Sequence, residues 1–177
     1  MRNINHTSNA VLTASILWSA QLGAETETSF QVSAAIESGC QISQSTPTPG
    51  ADIGEIGAME FPSASTTSTA TNTVSLAPNA GFTLSCTPGL QVTMQVDGGI
   101  HFDSARNMQH DSVADTISYS LFEDAALSQP IGVGVPISLD SNSDPGNISL
   151  PIYGQVTLPG NVQAGTYSDL LTVTLEW

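Results

Sequence analysis

Two cysteines, Cys40 and Cys86, are the residues of this sequence with the clearest chemistry. A closed zinc site needs four ligands, and no histidine lies near either cysteine in the sequence, so a metal site built on this pair is disfavoured. In an oxidising compartment, two cysteines in one small domain favour a single disulfide. On the chain-entropy model, a bridge that closes a loop of about 47 residues stabilises the fold by about 4 kcal/mol.

A second group of reactive side chains lies between residues 101 and 111: His101, Asp103, His110 and Asp111. These residues could bind a metal ion, but their spacing matches no metal-ligand pattern. The sequence therefore favours an acidic loop after the turn at 97–99.

The stretch 140–147 imitates the start of a calcium-binding loop, because Asp140, Asn142 and Asp144 alternate. Pro145 stands where the turn glycine is required, and Pro151 replaces the final bidentate glutamate, so a polar turn is the better prediction. The sequence contains neither a G-x-S-x-G nucleophile elbow nor a glycine-rich phosphate loop. We expect a protein that is not an enzyme, with no catalytic residue, no metal site and no cofactor.

Charge and the N-terminal pattern limit the partners and the location of the protein. The chain has 16 acidic side chains against Arg2 and Arg106, with no lysine, so nucleic acid and anionic membrane surfaces are disfavoured as partners. Residues 1–24 have the pattern of a signal peptide, with Arg2, an apolar core at 10–18 and a small residue, Ala24, at the cleavage site. An uncleaved anchor is the alternative, although the apolar stretch is short for a membrane span. We expect export without membrane insertion after cleavage.

Short stretches of alternating hydrophobicity predict the fold class. Apolar side chains alternate in stretches 82–86, 90–96 and 117–121, Asp97-Gly98-Gly99 is a turn signal, and Pro136 indicates an edge strand or a bulge. Residues 63–73, rich in serine and threonine, predict a loop that leads into a strand. With no sustained helical pattern, the sequence predicts an all-β antiparallel sandwich or barrel.

The last stretch of the sequence is also a predicted strand, and its apolar face consists of Leu171, Val173, Leu175 and Trp177. An exposed edge strand with an apolar face invites association with other chains, and proteins usually cover or charge such edges. Nothing in this stretch does so, and this raises the question of what pairs with it.

The sequence resembles the spore coat protein U domain family, which includes the subunits of archaic chaperone–usher pili. The stretches that carry the resemblance are FQVSAAIESGC, VDGG, ARNM, ISYSLFEDAA, LPIYGQV and GTYSDLLTVTLEW, and they occur in the family's order from about residue 28 to residue 177. The resemblance implies an incomplete immunoglobulin-like sandwich that lacks its last strand. A hydrophobic groove beside Leu171, Val173, Leu175 and Trp177 would then accept a strand from a periplasmic chaperone and later from a neighbouring subunit, at an outer-membrane usher.

Residues 25–39 are the expected donor of that strand, and residues 40–177 the expected pilin domain. Phe30, Val32, Ala34 and Ile36 share one face, and burying these four side chains in a groove contributes about 4–10 kcal/mol. The alternative is that residues 28–44 form strand A of their own domain, since periodicity does not reveal which molecule a strand pairs with.

The function implied by the resemblance is that of a shaft or adaptor subunit, polymerised by donor-strand exchange with identical or related subunits. The pilus would reach the surface of a Gram-negative cell through the periplasm and serve adhesion and biofilm formation. The alternatives are a spore-coat-like surface protein that does not polymerise and a single-domain tip adhesin.

Overall fold

The computed structural model describes residues 27–177. The predicted signal peptide, residues 1–24, lies outside these residues. Residues 27–35 form no strand, and a compact unit begins at Ile36 and extends to Trp177. Within the described part of the chain, no helix has the length and apolar character needed to cross a membrane.

All the secondary structure in residues 27–177 is β-strand, and every strand pairing is antiparallel. The strands are β1 (Cys40–Ile42), β2 (Gly57–Ala58), β3 (Thr71–Ser75), β4 (Ala77–Pro78), β5 (Leu84–Cys86), β6 (Val92–Val96), β7 (Arg106–His110), β8 (Thr116–Phe122), β9 (Ile137–Leu139), β10 (Tyr153–Thr157), β11 (Tyr167–Ser168) and β12 (Val173–Glu176). The predicted all-β antiparallel class is confirmed.

Two main sheets share one core. The larger sheet has five strands in the order β11-β7-β8-β10-β3, and the smaller has three in the order β12-β6-β9. Two short pairs, β1 with β5 and β2 with β4, complete the arrangement. Val92, Met94 and Val96 of the smaller sheet belong to the same buried cluster as Ile117 and Leu121 of the larger sheet, as expected for a sandwich.

The period-two pattern of the sequence corresponds to real burial. In β6 the side chains of Val92, Met94 and Val96 are at most 1% exposed, while the intervening residues are half-buried. In β8, Ile117, Tyr119 and Leu121 are buried and alternate with exposed residues, except at the half-buried last position. The apolar faces predicted for these two strands are therefore confirmed.

The predicted turn at 97–99 opens a longer connection between the two sheets. β6 lies in the smaller sheet and β7 in the larger, so residues 97–105 cross the sandwich edge and do not form a hairpin. Gly99 has a φ of 85°, and a Cβ atom at this position would overlap the Asp169 carboxylate. Only glycine therefore fits there without strain. Pro136 directly precedes β9, an edge strand, as predicted.

The disulfide between Cys40 and Cys86 joins β1 to β5, where the two residues lie directly opposite each other. The predicted pairing is therefore present in the structure. The bridge fastens the first strand of the compact unit at the point where the chain enters the core, because both residues are buried.

Replacing both cysteines by serine, Cys40→Ser with Cys86→Ser, should lower the free energy of unfolding by about 4 kcal/mol, because the unfolded chain regains the entropy of an open loop. This loss is large beside a typical net stability of about 5–15 kcal/mol. Urea unfolding of the wild type and the double variant measures it. An unchanged free energy of unfolding would contradict the role of the bridge.

Candidate functional site

The open edge of the smaller sheet is formed by β12. This strand pairs with β6 on one side, from Val173 opposite Val96 to Glu176 opposite Thr93. On its other side β12 has no partner strand among residues 27–177. An unpaired row of backbone N–H and C=O groups is a template for another strand.

The hydrogen bonds of Thr172 determine which backbone groups are open. The Asp97 N–H donates to the Thr172 carbonyl oxygen at 3.0 Å. In an antiparallel strand, successive residues direct their backbone groups alternately to one neighbour and to the other. The N–H and C=O groups of Leu171, Val173 and Leu175 therefore point away from β6, toward the open edge.

The side chains of the same stretch line a large cavity. Leu171, Val173 and Leu175 are half-buried and pack against the core, and the Trp177 side chain is 43% exposed. All four predicted groove residues border one cavity of about 1870 Å³. Their side chains are buried only in part because this cavity lies beside them.

The residues that line the cavity come from the first and the last parts of the compact unit. Residues 47–66 and 162–177 contribute two stretches of its lining, and buried core residues, among them Val96, Ile117 and Val156, contribute another part. The volume exceeds the range of about 300–1,000 Å³ that is usual for small-molecule sites. A cavity of this size beside an open strand edge suits an extended peptide segment better than a compact ligand.

The start of the open strand is held by the connection between β6 and β7. Asp97 bonds Thr172 twice, because its N–H donates to the Thr172 carbonyl and its Oδ1 accepts from the Thr172 N–H at 2.9 Å. Ile100 N–H donates to the carbonyl of Leu170 at 3.2 Å. These bonds hold residues 170–172 in place before β12 begins.

Asp169 is the centre of a buried polar network at the same point. Its side chain is 3% exposed, and its Oδ2 accepts a hydrogen bond from the Tyr119 hydroxyl at 2.7 Å. Its Oδ1 accepts from the backbone N–H of His101 and contacts His101 Nδ1, each at 3.2 Å. Burial raises the pKa of Tyr119, and the hydrogen bond to Asp169 raises it further. The network thus joins β8 of the larger sheet to the two connections that contain His101 and Asp169, beside the open strand.

Arg106, the one basic residue outside the N-terminal region, is buried on β7 with 6% exposure. Its guanidinium donates to four backbone carbonyl oxygens, at Asp97, Ile131, Val96 and Gly132. Burial lowers the pKa of Arg106. This cation therefore binds the end of β6 to the loop before β9 and serves the fold.

Sequence reasoning assigned no role to Asp97, Tyr119 or Asp169. Asp169 and Arg106 both lie in stretches that carry the resemblance to the family, and Arg106 is also one of the two basic residues, but the sequence predicts no role for either. No local pattern of the sequence indicates that Arg106 is buried, because arginine is mostly exposed in proteins and is buried only with partners for its charge. The carbonyl partners of Arg106 follow from tertiary structure alone.

The candidate metal and calcium residues have ordinary structural roles. His110 is buried in β7; its Nε2 lies 3.0 Å from the Ala164 carbonyl, and its Nδ1 accepts from the Ser112 N–H. Asp140 accepts hydrogen bonds from its own turn, and the hydroxyl of Ser143 lowers its pKa. Within residues 27–177, no group of three or more His, Cys, Asp and Glu side chains is placed to hold a metal ion.

The predicted donor residues lie in a stretch without strand structure. Residues 27–39 form no strand, and β1 begins at Cys40. Phe30, Val32 and Ile36 are 86%, 82% and 96% exposed, and Ala34 is exposed as well. Large apolar side chains with this exposure have a strong hydrophobic drive toward a partner.

Comparison with known proteins gives a family and several related solved structures, of which one is described below. The family model described as Spore Coat Protein U domain matches residues 26–174. A solved structure with similarity to this chain is the CsuC-CsuE chaperone-tip adhesion subunit pre-assembly complex from archaic chaperone-usher Csu pili of Acinetobacter baumannii, at 14% sequence identity and a TM-score of 0.44. The match covers 80% of this chain and 40% of that chain, so this chain spans less than half of its length. No curated protein matches the chain.

The raised pKa of Tyr119 predicts a loss of stability at alkaline pH. In the unfolded chain the phenol ionises near its ordinary pKa of 10.0, whereas the folded protein keeps it protonated. The contribution of Tyr119 to the free energy of unfolding is therefore complete below pH 10 and is lost as the pH rises above it. Tyr119→Phe should lower stability at neutral pH by about 1.5–3 kcal/mol, the range for a hydrogen bond to a charged group, and should reduce the alkaline loss.

Urea unfolding between about pH 8 and pH 11 measures both effects. Tyr153→Phe is the matched control, since the Tyr153 hydroxyl makes no hydrogen bond within the described residues. If the free energy of unfolding falls equally at alkaline pH in the wild type and in Tyr119→Phe, the role assigned to the Tyr119 hydroxyl is contradicted.

Proposed function

The chain belongs to the spore coat protein U domain family, and we propose that it is a structural, non-enzymatic subunit of an archaic chaperone–usher pilus. In this proposal it is a shaft or adaptor subunit, and it polymerises by donor-strand exchange for adhesion and biofilm formation. The observation that carries the proposal is the open edge of β12 beside the apolar cavity, because this edge needs a strand that residues 27–177 do not supply.

The proposed acceptor is the stretch Leu171–Trp177. Its outward backbone groups would give the incoming strand its hydrogen bonds, at about 0.5–1.5 kcal/mol each, and its apolar side chains would set the register. A periplasmic chaperone would supply the first strand, and an outer-membrane usher would exchange it for the extension of another subunit. The assembled fibre would then stand on the cell surface.

The proposed donor is the stretch Phe30–Ile36, which equals the acceptor stretch in length. Phe30, Val32 and Ile36 are almost fully exposed in the single chain, so their burial in a neighbour removes much apolar surface from water. For the four apolar side chains together, the gain is about 4–10 kcal/mol. Ser38 and Gly39 would form a flexible joint between the donated strand and the disulfide at Cys40.

The two faces of the donor should respond differently to charge. Val32→Asp and Ile36→Asp should abolish fibres, because each places an unpaired charge in the apolar groove. Gln31→Asp and Ser33→Asp are the matched controls and should leave fibres unchanged, because their side chains face solvent. Electron microscopy of fibres, with heat dissociation in detergent, gives the readout. Equal effects on both faces would count against the donor assignment.

Deleting residues 25–37 separates the donor role from a structural one. We expect the deletion variant to keep its complex with the chaperone and to lose polymerisation, because the extension lies outside its own core. Loss of the chaperone complex as well would mean that these residues are strand A of their own domain. Normal fibres after the deletion would refute the mechanism.

The acceptor can be tested at its most accessible apolar side chain. Trp177→Asp should weaken the one-to-one complex with the chaperone, because the charge enters the groove that the chaperone strand fills. Thr174→Asp changes an exposed residue of the same strand and should leave the complex intact. Size-exclusion chromatography of the co-expressed pair measures both. A complex that survives Trp177→Asp unchanged would contradict the proposed groove.

A further inference from the structure

Large apolar side chains are exposed at one end of the sandwich, where the open strand begins. They are Ile100, Phe102, Val133, Val135 and Leu170, with exposed fractions of 67%, 46%, 45%, 51% and 63%. We call this set the apolar end. The cavity beside β12 does not account for most of them, because only Leu170 belongs to its lining. Exposed apolar clusters on a protein surface mark contacts with a partner.

Backbone hydrogen bonds bring the three parts of the apolar end together. Ile100 N–H donates to the Leu170 carbonyl at 3.2 Å, which joins the connection after β6 to the start of the open strand. Gly134 N–H donates to the Val96 carbonyl at 2.9 Å, which places the loop with Val133 and Val135 beside the end of β6.

The opposite end of the open strand lies near the disulfide. A Cβ atom on Gly39 would lie 3.8 Å from Trp177 Nε1, so the chain enters the core beside the last residue of the acceptor stretch. The Thr87 N–H donates to the Gly39 carbonyl at 3.0 Å, which adds residues 86–89 to this end. We call it the cysteine end.

Strand polarity determines which ends meet in a fibre. All strand pairs in the described residues are antiparallel, and an added strand that continues this pattern runs opposite to β12. Its first residues then lie near Trp177 and its last near Leu171. Ile36 of the donating copy would therefore lie at the apolar end of the accepting copy.

The short stretch from Ile36 to Cys40 limits the distance between the two subunits. From Ile36 to Cys40 there are four Cα–Cα steps, which span at most about 14 Å when fully extended. The body of the donating copy thus starts within about 14 Å of Leu171 in the accepting copy. This distance is short enough for the two bodies to make contact.

We propose that the apolar end of each subunit is a docking surface for the cysteine end of the next copy of this chain, a second contact beside the donated strand. This inference rests on the proposed donor-strand exchange. The contact would bury Ile100, Phe102, Val133, Val135 and Leu170, and it would restrict the angle between consecutive subunits. Apolar burial would also offset the repulsion between subunits of the same strongly negative charge.

The absence of lysine from the chain allows a direct test. A fibre of the double variant Leu170→Lys with Pro88→Lys presents one amine at each end of every subunit. A short bifunctional amine reagent should link neighbouring subunits into a ladder of multimers on a denaturing gel. Fibres of the single variants Leu170→Lys and Pro88→Lys measure the linkage that the terminal amine alone gives, and the ladder of the double variant should be stronger than that of either single variant. Phe102→Lys with Pro88→Lys repeats the test at an independent position.

The outcomes separate this inference from the proposed function. A ladder that is stronger in fibres of the double variants than in fibres of the single variants supports the contact. Fibres that form normally but give no ladder beyond that of the single variants overturn the contact and leave donor-strand exchange intact, as expected if the added strand runs parallel to β12. Failure of the wild-type chain to form fibres with its chaperone and usher would instead overturn the proposed function.

A charge at the apolar end gives a second readout. The cysteine end carries the acidic side chains of Glu37, Asp140 and Asp144. Asp144 is next to Pro145, whose carbonyl oxygen accepts a hydrogen bond from the Cys86 N–H. Val133→Asp should therefore shift heat dissociation of fibres to lower temperature more than Val133→Lys does. Added salt should narrow the difference, because it screens exposed charges. Identical shifts for the two variants would contradict the assigned partner surface.

Discussion

The backbone of the stretch that contains β12 has hydrogen-bonding groups that find no partner strand within residues 27–177, and the surrounding structure holds this edge in place. Three outward-facing residues, Leu171, Val173 and Leu175, present N–H and C=O groups beside a cavity of about 1870 Å³. Unmade backbone hydrogen bonds and an uncovered apolar core are both costly. One added strand would satisfy both requirements together, so in the proposed assembly each polymerisation step would also complete the fold of a subunit.

An open edge is useful for assembly only if it stays in place. The structure secures the start of β12 through Asp97 and Asp169, and it secures the adjoining end of β6 through Arg106 and its carbonyl partners. These groups lie at one end of the strand, while the disulfide lies near the other. Such preorganisation lowers the entropy cost when the next strand binds. In the proposed assembly, the strong negative charge of the chain would keep subunits apart until an apolar donor strand is presented.

Much of this arrangement could be predicted from the sequence because it rests on local patterns. Alternation predicted the buried faces of β6 and β8, and export with two cysteines predicted the disulfide. The path of residues 97–105 from one sheet to the other was harder to predict, because a turn signal does not reveal whether the next strand joins the same sheet. The network of Asp169 and Tyr119 joins residues far apart in the chain, so no local pattern could indicate it. The partner of residues 30–36 is also undetermined by periodicity, which is the same for either molecule.

The most direct measurement is amide hydrogen exchange along the last strand, compared between the isolated subunit and assembled fibres. The account predicts rapid exchange at Leu171, Val173 and Leu175 in the isolated subunit and strong protection in fibres, because their N–H groups face the open edge. The amides of Thr172 and Thr174, which face β6, should be protected in both states. Exchange at Leu171, Val173 and Leu175 that stays equally fast after assembly would show that no strand is added at this edge.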